Sequence, residues 1–257
     1  MYSLKKSLGQ HFLHDENVCR KIIDVLRQKK FSNLLEVGPG GGALTRHLLA
    51  FPDIHLMAVE LDREKIDYLL HTYPALAGKI VHADFLNIAQ PFEGHFTVIG
   101  NFPYNISTQI LFRMIDWKTD VECMIGMFQK EVAQRVVAPE GNKTYGILSI
   151  LVQAFFDVEY LFEVQESSFT PPPQVKSAVI RLKPRRELPD MKSEKAFFNL
   201  VKTAFNQRRK MLRNSVKSLF TPEILQEEIF NKRPEQLTIR EFAALTHKMS
   251  QFTKGTA

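Results

Sequence analysis

The first 185 residues of this 257-residue chain alternate short apolar runs with stretches whose apolar residues recur every three to four positions. The first pattern is typical of buried β-strands and the second of amphipathic helices. Five runs have the length of a strand: 33–37, 55–60, 79–83, 96–101 and 121–128. Because strands that alternate with helices form parallel sheets with both faces covered, the pattern predicts a mostly parallel α/β sheet.

Two further apolar runs, 158–164 and 177–183, flank three consecutive prolines, Pro171 to Pro173. No crossover helix is predicted between these runs. Parallel neighbours need such a crossover, whereas antiparallel neighbours do not. We therefore expect the two runs to pair antiparallel at one edge of the sheet.

The chain changes character at 182–190, a polar linker flanked by prolines. Beyond it, apolar periodicity predicts four helices: 194–206, 208–220, 222–230 and 238–250. We therefore predict two domains, a sheet domain over residues 1–185 and a small C-terminal helical domain over residues 186–257.

The net charge of +6 belongs entirely to the predicted helical domain, because residues 186–257 hold 14 Lys/Arg against 8 Asp/Glu. The segment between Lys202 and Glu223 has no acidic residue and carries five cations: Arg208, Arg209, Lys210, Arg213 and Lys217. On a continuous helix, Arg209, Arg213 and Lys217 would share one face, since they are four residues apart. This charge distribution favours an anionic partner, with the cations on its phosphates, over a merely solvated surface.

Other features argue against several classes of protein. No run of about 18 apolar residues is present to span a membrane, and the first 20 residues lack the apolar core of a secretory signal. Cys19 and Cys123 lie far apart without the spacing of zinc ligands, which predicts reduced thiols and no metal site. We expect a cytoplasmic protein that binds no membrane and is a monomer when free.

Four successive predicted strands end at Gly38, Glu60, Asp84 and Asn101. The carboxyl ends of parallel strands share one edge of the sheet, where open α/β sheets bind their ligands. Gly38 lies in a glycine-rich turn, which allows a ligand to approach the backbone. Glu60 follows Gly38 by 22 residues, the place of an acidic residue that accepts ribose hydroxyls. The series predicts a nucleoside site.

The glycine-rich turn reads Glu-Val-Gly-Pro-Gly-Gly-Gly over 36–42, unlike the G-x-G-x-x-G pattern of dinucleotide sites. Glu36 adds a carboxylate two residues before Gly38, and Gly40 follows within the turn. A negative charge suits a cationic or zwitterionic cofactor better than a pyrophosphate. S-adenosylmethionine, with its sulfonium and ammonium groups, meets this requirement. The turn also resembles the cofactor loop of class I methyltransferases, which implies a Rossmann-like fold.

The fourth strand ends in Asn101, Phe102, Pro103 and Tyr104. The exocyclic amine of adenine is a poor nucleophile because its lone pair is delocalised into the ring. The amide oxygen of Asn101 and the carbonyl oxygen of Phe102 can accept its two N–H bonds, which favours the state in which charge builds on nitrogen. Pro103 restricts the turn, and Tyr104 offers a face for stacking the base. These residues predict methyl transfer to the N6 amine of adenine.

Five segments together resemble the ribosomal RNA adenine N6-dimethyltransferases that act on the small subunit: 5–13, 101–108, 141–149, 167–182 and 205–215. The resemblance covers nearly the whole chain, including its basic C-terminal part. It implies methylation of two adjacent adenosines near the 3′ end of 16S ribosomal RNA, in ribosome biogenesis. The partner implied is ribosomal RNA within the small subunit.

The same resemblance implies roles for individual residues. It places His11 and Leu13 in the wall of the cofactor pocket, although many relatives have Asn where His11 stands. It also implies cofactor contacts for Gly38, Glu60, Asp84 and Asn101.

The resemblance further implies that Phe169 closes the face of the target adenine opposite Tyr104. Phe102 stands where the family usually has leucine, and this departure leaves the backbone acceptor unchanged.

Two alternatives stay open from the sequence. Large-subunit RNA adenine methyltransferases of the macrolide-resistance type share the cofactor and the Asn-x-Pro-Tyr features, but the tripled proline and the cationic segment 205–214 favour the small-subunit type. A non-enzymatic RNA-binding assembly factor would have no need of Glu60, Asp84 and the complete 101–104 set.

Overall fold

The structure is a computed structural model that describes residues 11–250. The part of the 5–13 motif that precedes His11 lies outside these residues. Contacts divide the chain into two compact units, the first formed by residues up to Ala133 together with Asp157–Pro184. The second unit is formed by Gln134–Phe156 together with the residues from Arg185 onward. The segment Gln134–Phe156, which sequence patterns placed with the sheet, thus belongs to the contact unit of the C-terminal helices.

Nine strands and nine helices form in the described part of the chain. The strands are β1 (Phe12–Leu13), β2 (Asn33–Val37), β3 (His55–Glu60), β4 (Ile80–His82), β5 (Phe96–Asn101), β6 (Val121–Gln129), β7 (Phe156–Val164), β8 (Phe169–Thr170) and β9 (Ser177–Pro184). The helices are α1 (Glu16–Arg27), α2 (Thr45–Leu48), α3 (Arg63–Thr72), α4 (Ser107–Asp116), α5 (Lys130–Val137), α6 (Ile147–Gln153), α7 (Glu194–Phe205), α8 (Leu212–Val216) and α9 (Ile239–Lys248).

The first unit is built on a seven-stranded sheet with the strand order β4-β3-β2-β5-β6-β9-β7. The strands β4, β3, β2, β5 and β6 are parallel, while β9 runs antiparallel to β6. The predicted mostly parallel sheet is confirmed, as is the adjacency of β7 and β9 at one edge. Continuous apolar runs form the central strands because both of their faces are buried.

A separate two-stranded sheet ties the start of the described chain to the proline-rich turn. β1 pairs antiparallel with β8, so that Leu13 lies opposite Phe169. Asp15, which caps α1 by accepting from two backbone N–H groups, also accepts a hydrogen bond of 2.9 Å from the hydroxyl of Ser168. Residues more than 150 positions apart in sequence are thereby held side by side.

The second unit is helical. α7 packs against α6, α8 and α9, and its buried face includes Phe197, Leu200 and Val201. The hydroxyl of the buried Tyr145 donates to the carbonyl oxygen of Leu237 over 3.1 Å, which satisfies a polar atom that would otherwise be costly to bury.

Two predicted helices in this unit are wrong in extent. The helix expected over 208–220 is reduced to α8, because Met211 is extended and the N–H of Leu212 donates to the carbonyl oxygen of Lys232 instead of continuing a helix. The helix expected over 222–230 is replaced by two 3₁₀ turns, Ile224–Gln226 and Glu228–Asn231. In both places long-range packing overrides local helical preference.

Within residues 11–250, no helix is long and apolar enough to cross a membrane. The same residues contain no group of three or more His, Cys, Asp or Glu side chains arranged to hold a metal ion.

Candidate active site

A single cleft lies at the carboxyl edge of β2, β3 and β5. Most of the predicted site residues line it: His11, Leu13, Glu36, Gly38, Gly40, Glu60, Asp84, Asn101, Phe102, Pro103 and Tyr104. These residues come from five separate stretches of the chain. The parallel sheet brings four of these stretches together because each predicted strand end lies at the same edge. His11 and Leu13 reach the cleft from the two-stranded sheet instead.

Glu60, at the end of β3, links the second strand end to the glycine-rich turn. One of its carboxylate oxygens accepts from the backbone N–H groups of Leu61 and Asp62, both at 3.0 Å. The other accepts from the N–H of Gly40 at 3.2 Å. Gly40 has a φ of +58°, a conformation that favours glycine. The carboxylate is therefore fixed in the cleft, and of its about four lone-pair sites one is left, on the oxygen hydrogen-bonded to Gly40, for a ligand.

Glu36 is a second carboxyl group in the wall of the cleft, and it is only 1% exposed. It accepts a hydrogen bond of 2.7 Å from the hydroxyl of Thr45. Burial raises the pKa of Glu36 to about 8, and repulsion from Glu60 acts in the same direction. A cationic ligand in the cleft would stabilise the ionised form of Glu36.

Asp84 and Asn101 complete the series of strand ends. The carboxylate of Asp84 caps a short 3₁₀ turn by accepting from the N–H of Leu86 at 2.9 Å. The side-chain amide of Asn101 donates to the carbonyl oxygen of His11 over 3.2 Å. This bond orients the amide group, so that its oxygen is the atom left to accept from a substrate.

Tyr104 follows the turn and is held at both its hydroxyl and its ring. Its hydroxyl shares a hydrogen bond of 2.6 Å with the hydroxyl of Ser177. Burial raises the pKa of Tyr104, so the phenol is neutral at pH 7. The ring of His11 stacks on that of Tyr104 with a centroid distance of 5.5 Å, and Nδ1–H of His11 donates to the carbonyl oxygen of Pro171.

Phe169 does not line this cleft. Its side chain is 2% exposed and packs in the hydrophobic core with Leu13 and Val179. The pairing of β8 with β1 directs it there, whereas the ring that meets Tyr104 is that of His11. A base-stacking role for Phe169 stays a prediction.

The cationic residues lie in the second unit and do not form the predicted stripe. Arg209 lies in the turn before α8 and Lys217 caps its end, so the one-face arrangement with Arg213 is wrong. Arg208 donates to the carbonyl oxygen of Lys143 and lies near Glu235. Arg209, Lys210 and Lys217 are exposed.

Sequence patterns missed several residues of the cleft wall, among them Phe12, Leu61, Lys65 and Phe85. Leu61 is 51% exposed, and the ammonium of Lys65 lies 5.1 Å from the centre of the Phe12 ring. Leu61 and Phe85 directly follow Glu60 and Asp84, so their positions next to predicted strand ends were an available signal. The sequence around Lys65 gave no such indication, because the residue differs from other helical lysines only in being buried beside Phe12 in the folded chain.

The residues present fit S-adenosylmethionine. Glu60 is a carboxylate for a cationic ligand, and nearby positive charge would favour ionisation of Glu36 as well. A carboxylate can also accept ribose hydroxyls. Leu61 and Phe85 offer apolar contacts for a nucleobase. The absence of a side chain at Gly40 leaves room for the ring of Phe12 beside the turn, because a Cβ there would lie 3.3 Å from that ring.

The fold and the site together define a class I methyltransferase that acts on an amino group. The defining features are the mostly parallel sheet, the glycine-rich turn, the acidic residue at the end of the second strand of the sheet, and the Asn-Phe-Pro-Tyr turn. The chain belongs to the ribosomal RNA adenine dimethylase family, whose model matches residues 1–251. This confirms the family and the fold class expected from the sequence.

Two relatives resemble the protein over almost their entire lengths. It is 51% identical over 249 residues to ribosomal RNA small subunit methyltransferase A of Flavobacterium johnsoniae, covering 95% of each chain. It is 49% identical over 250 residues to the protein of the same name from Cytophaga hutchinsonii, covering 96% of this chain and 97% of the relative.

Solved structures agree with the architecture. A dimethyladenosine transferase from Plasmodium falciparum matches with a TM-score of 0.76 and 25% identity, over 90% of this chain and 94% of the other. The 23S rRNA methyltransferase ErmE matches with a TM-score of 0.65 and 24% identity, over 91% of this chain and 99% of the other. The second likeness bears on the fold alone.

The buried Glu36 leads to a prediction about stability and pH. Its pKa is raised from 4.5 to about 8 in the folded chain, so the folded state holds a proton that the unfolded state loses. Stability should therefore fall as pH rises from 4.5 to about 8. Glu36→Gln, which cannot ionise, should flatten this fall when thermal unfolding is measured from pH 5 to pH 9.

The exposed Glu122 on β6 provides a matched control for this measurement. Glu122→Gln should preserve the wild-type pH dependence. An unchanged pH dependence in Glu36→Gln would contradict the assignment of a proton to the buried group.

Proposed function

We propose that this protein transfers methyl groups from S-adenosylmethionine to the N6 amines of two adjacent adenosines near the 3′ end of small-subunit ribosomal RNA. One observation carries the proposal: the Asn101–Tyr104 turn opens into the same cleft as Glu36 and Glu60. The names of relatives about half identical over nearly the full chain support the small subunit over the large one.

The donor half of the cleft binds and orients the cofactor. S-adenosylmethionine, when bound, supplies a methyl group activated by a positively charged sulfonium. Glu36 and Glu60 are the carboxylates that would face its cationic and ribose groups. Asp84 lies at the neighbouring strand end, where it would accept from the adenine amine. Bonds from backbone N–H groups to Glu60 and Asp84 hold these carboxylates before any ligand arrives, which lowers the entropy cost of binding.

The acceptor half prepares the target amine. The oxygen of the Asn101 amide and the carbonyl oxygen of Phe102 accept its two N–H bonds and favour a pyramidal nitrogen. These acceptors act more strongly as positive charge develops, so they stabilise the transition state more than the bound substrate. Pro103 restricts φ at the turn. The methylated nitrogen is acidic, so its proton passes to water without a dedicated base.

The ring of Tyr104 is the platform on which the adenine stacks. Its hydrogen bond to Ser177 fixes the orientation of the ring. The ring of His11 packs against one face of Tyr104, so the base would stack on the opposite face or take the place of the histidine.

RNA is gripped by the basic second unit. Its exposed Arg209, Lys210 and Lys217 would neutralise phosphates without reading bases. We further propose that the protein acts as a monomer in the cytoplasm, where its buried thiols, Cys19 and Cys123, would stay reduced.

The substrate can be tested directly. The protein should transfer label from S-adenosylmethionine to small ribosomal subunits that lack the modification, with the labelled adenines adjacent near the RNA 3′ end. Separated large subunits serve as the control and should remain unlabelled. Label that appears mainly in the large subunit would favour the macrolide-resistance type, and an absence of label in either would favour a binding factor.

Asn101→Ala removes the amide acceptor, and methyl transfer should fall at least about a hundredfold, comparable to the loss of one preorganised hydrogen-bonding group. Cofactor affinity, measured by calorimetry, should remain near that of the wild type. Asn101→Asp keeps an acceptor oxygen and should retain more activity than the alanine variant. Equal activities of the two variants would contradict the assigned role.

Replacing Arg209, Lys210 and Lys217 together by Gln should weaken binding to RNA of any sequence. The slope of log affinity against log salt should flatten by about two to three, since each phosphate contact contributes about 0.7–0.9. The exposed Lys29, Lys30 and Lys79 of the first unit form a matched triple control. The proposal that the second unit binds RNA fails if both triple variants have the same slope of log affinity against log salt.

A further inference from the structure

The ring of Phe102 lies over two glycines on neighbouring strands. Gly100 of β5 and Gly126 of β6 are directly opposite each other in the parallel register. A Cβ at Gly100 would lie 2.6 Å from Cε1 of Phe102, and a Cβ at Gly126 would lie closer than 3.0 Å to Cε2 of the same ring. Real Cβ atoms do not approach other atoms so closely. The ring occupies this place because both positions lack a side chain.

Backbone conformation does not explain these glycines. Both lie within strands, where any residue can adopt the extended conformation. Glycine inside a strand weakens it and often marks a close approach of another group. The group common to both glycines is the Phe102 ring, which is 1% exposed and whose centroid lies 5.1 Å from that of the Phe128 ring. At Gly100 a Cβ would also lie 2.6 Å from the carbonyl oxygen of Val37.

The buried ring of Phe102 attaches the Asn101–Tyr104 turn to the sheet. The N–H of Phe102 donates to the carbonyl oxygen of Met127 over 3.2 Å, so a second attachment holds the same residue to β6. The carbonyl group assigned to the target amine is bonded to the Cα of this residue. Any upward displacement of the ring would therefore move that carbonyl oxygen and the adjoining Asn101.

We propose that Gly126 is a positioning residue: because it has no side chain, the ring of Phe102 can pack against β6, and this packing sets the distance of the Asn101–Tyr104 turn from the sheet. This inference rests on the proposed function for its catalytic consequence. It also links three features of the sequence, because the ring of Phe102 requires the space that Gly100 on β5 and Gly126 on β6 leave together. Gly126 itself touches neither donor nor base and acts through Phe102.

The test is a double-mutant cycle. Gly126→Ala should lower kcat by at least about tenfold, since a misplacement of about 1 Å can cost about a hundredfold. KM for the small subunit and the Kd of S-adenosylmethionine should not change. Leucine lacks the Cε atoms that the new methyl group would meet, so Phe102→Leu combined with Gly126→Ala should recover most of the lost kcat.

Gly146→Ala is the matched control, because a Cβ at Gly146 would come no closer than 4.0 Å to the ring of Phe205; its kcat should equal that of the wild type. A Cβ at Gly126 would also lie 2.8 Å from Met124 and Phe128. Failure of Phe102→Leu to rescue Gly126→Ala would assign the clash to those residues and overturn the proposal. A wild-type kcat in Gly126→Ala would overturn it as well.

Thermal unfolding gives a readout that does not depend on methyl transfer. Gly126→Ala should lower the melting temperature, and addition of Phe102→Leu should restore part of it. Additive effects of the two changes would refute the contact even if methylation were abolished for another reason. A wild-type protein that methylates no ribosomal RNA would refute the proposed function, while this stability cycle would still decide whether the glycine receives the ring.

Discussion

The parallel pairing of β2 with β3 and β5, and of β3 with β4, is the constraint on which the site depends. Parallel strands end at the same edge, so residues that close separate βα units become neighbours without any local attraction between them. The hydrogen bonds that Glu60 accepts from the N–H groups of Gly40, Leu61 and Asp62 then fix the position of the second strand end relative to the first. Had these strands been antiparallel, their polar ends would have been distributed over both edges.

The cleft brings two acidic groups together where little water can stabilise their ionised forms. Burial raises the pKa of Glu36, and repulsion from Glu60 adds to this effect, while the hydrogen bond from Thr45 opposes it. A cationic ligand would reverse that balance, because nearby positive charge favours the ionised carboxylate. Cofactor binding and the protonation of Glu36 are therefore coupled, because both depend on the free energy of an ionised carboxylate in a site with little water.

The acceptor side is held by packing as much as by hydrogen bonds. The turn that ends β5 is attached through Phe102 to a glycine slot in the sheet and through Asn101 to the backbone of His11. Tyr104 is attached through Ser177 to β9. A reaction that depends on two oxygen atoms converging on one nitrogen benefits from this rigid support, since misalignment by a fraction of a bond length reduces both interactions.

The sequence by itself determined the central strands, their parallel arrangement and the series from Glu36 to Tyr104, because continuous apolar runs and strand-ending residues are local signals. Tertiary structure alone decided the pairing of Leu13 with Phe169, the short α8 beside Lys232 and the meeting of Phe102 with Gly126. Those features arise between residues distant in sequence, where backbone hydrogen bonds and side-chain volume compete with local preference. The pattern of apolar residues along the sequence does not show which of these interactions prevails, so only the folded structure does.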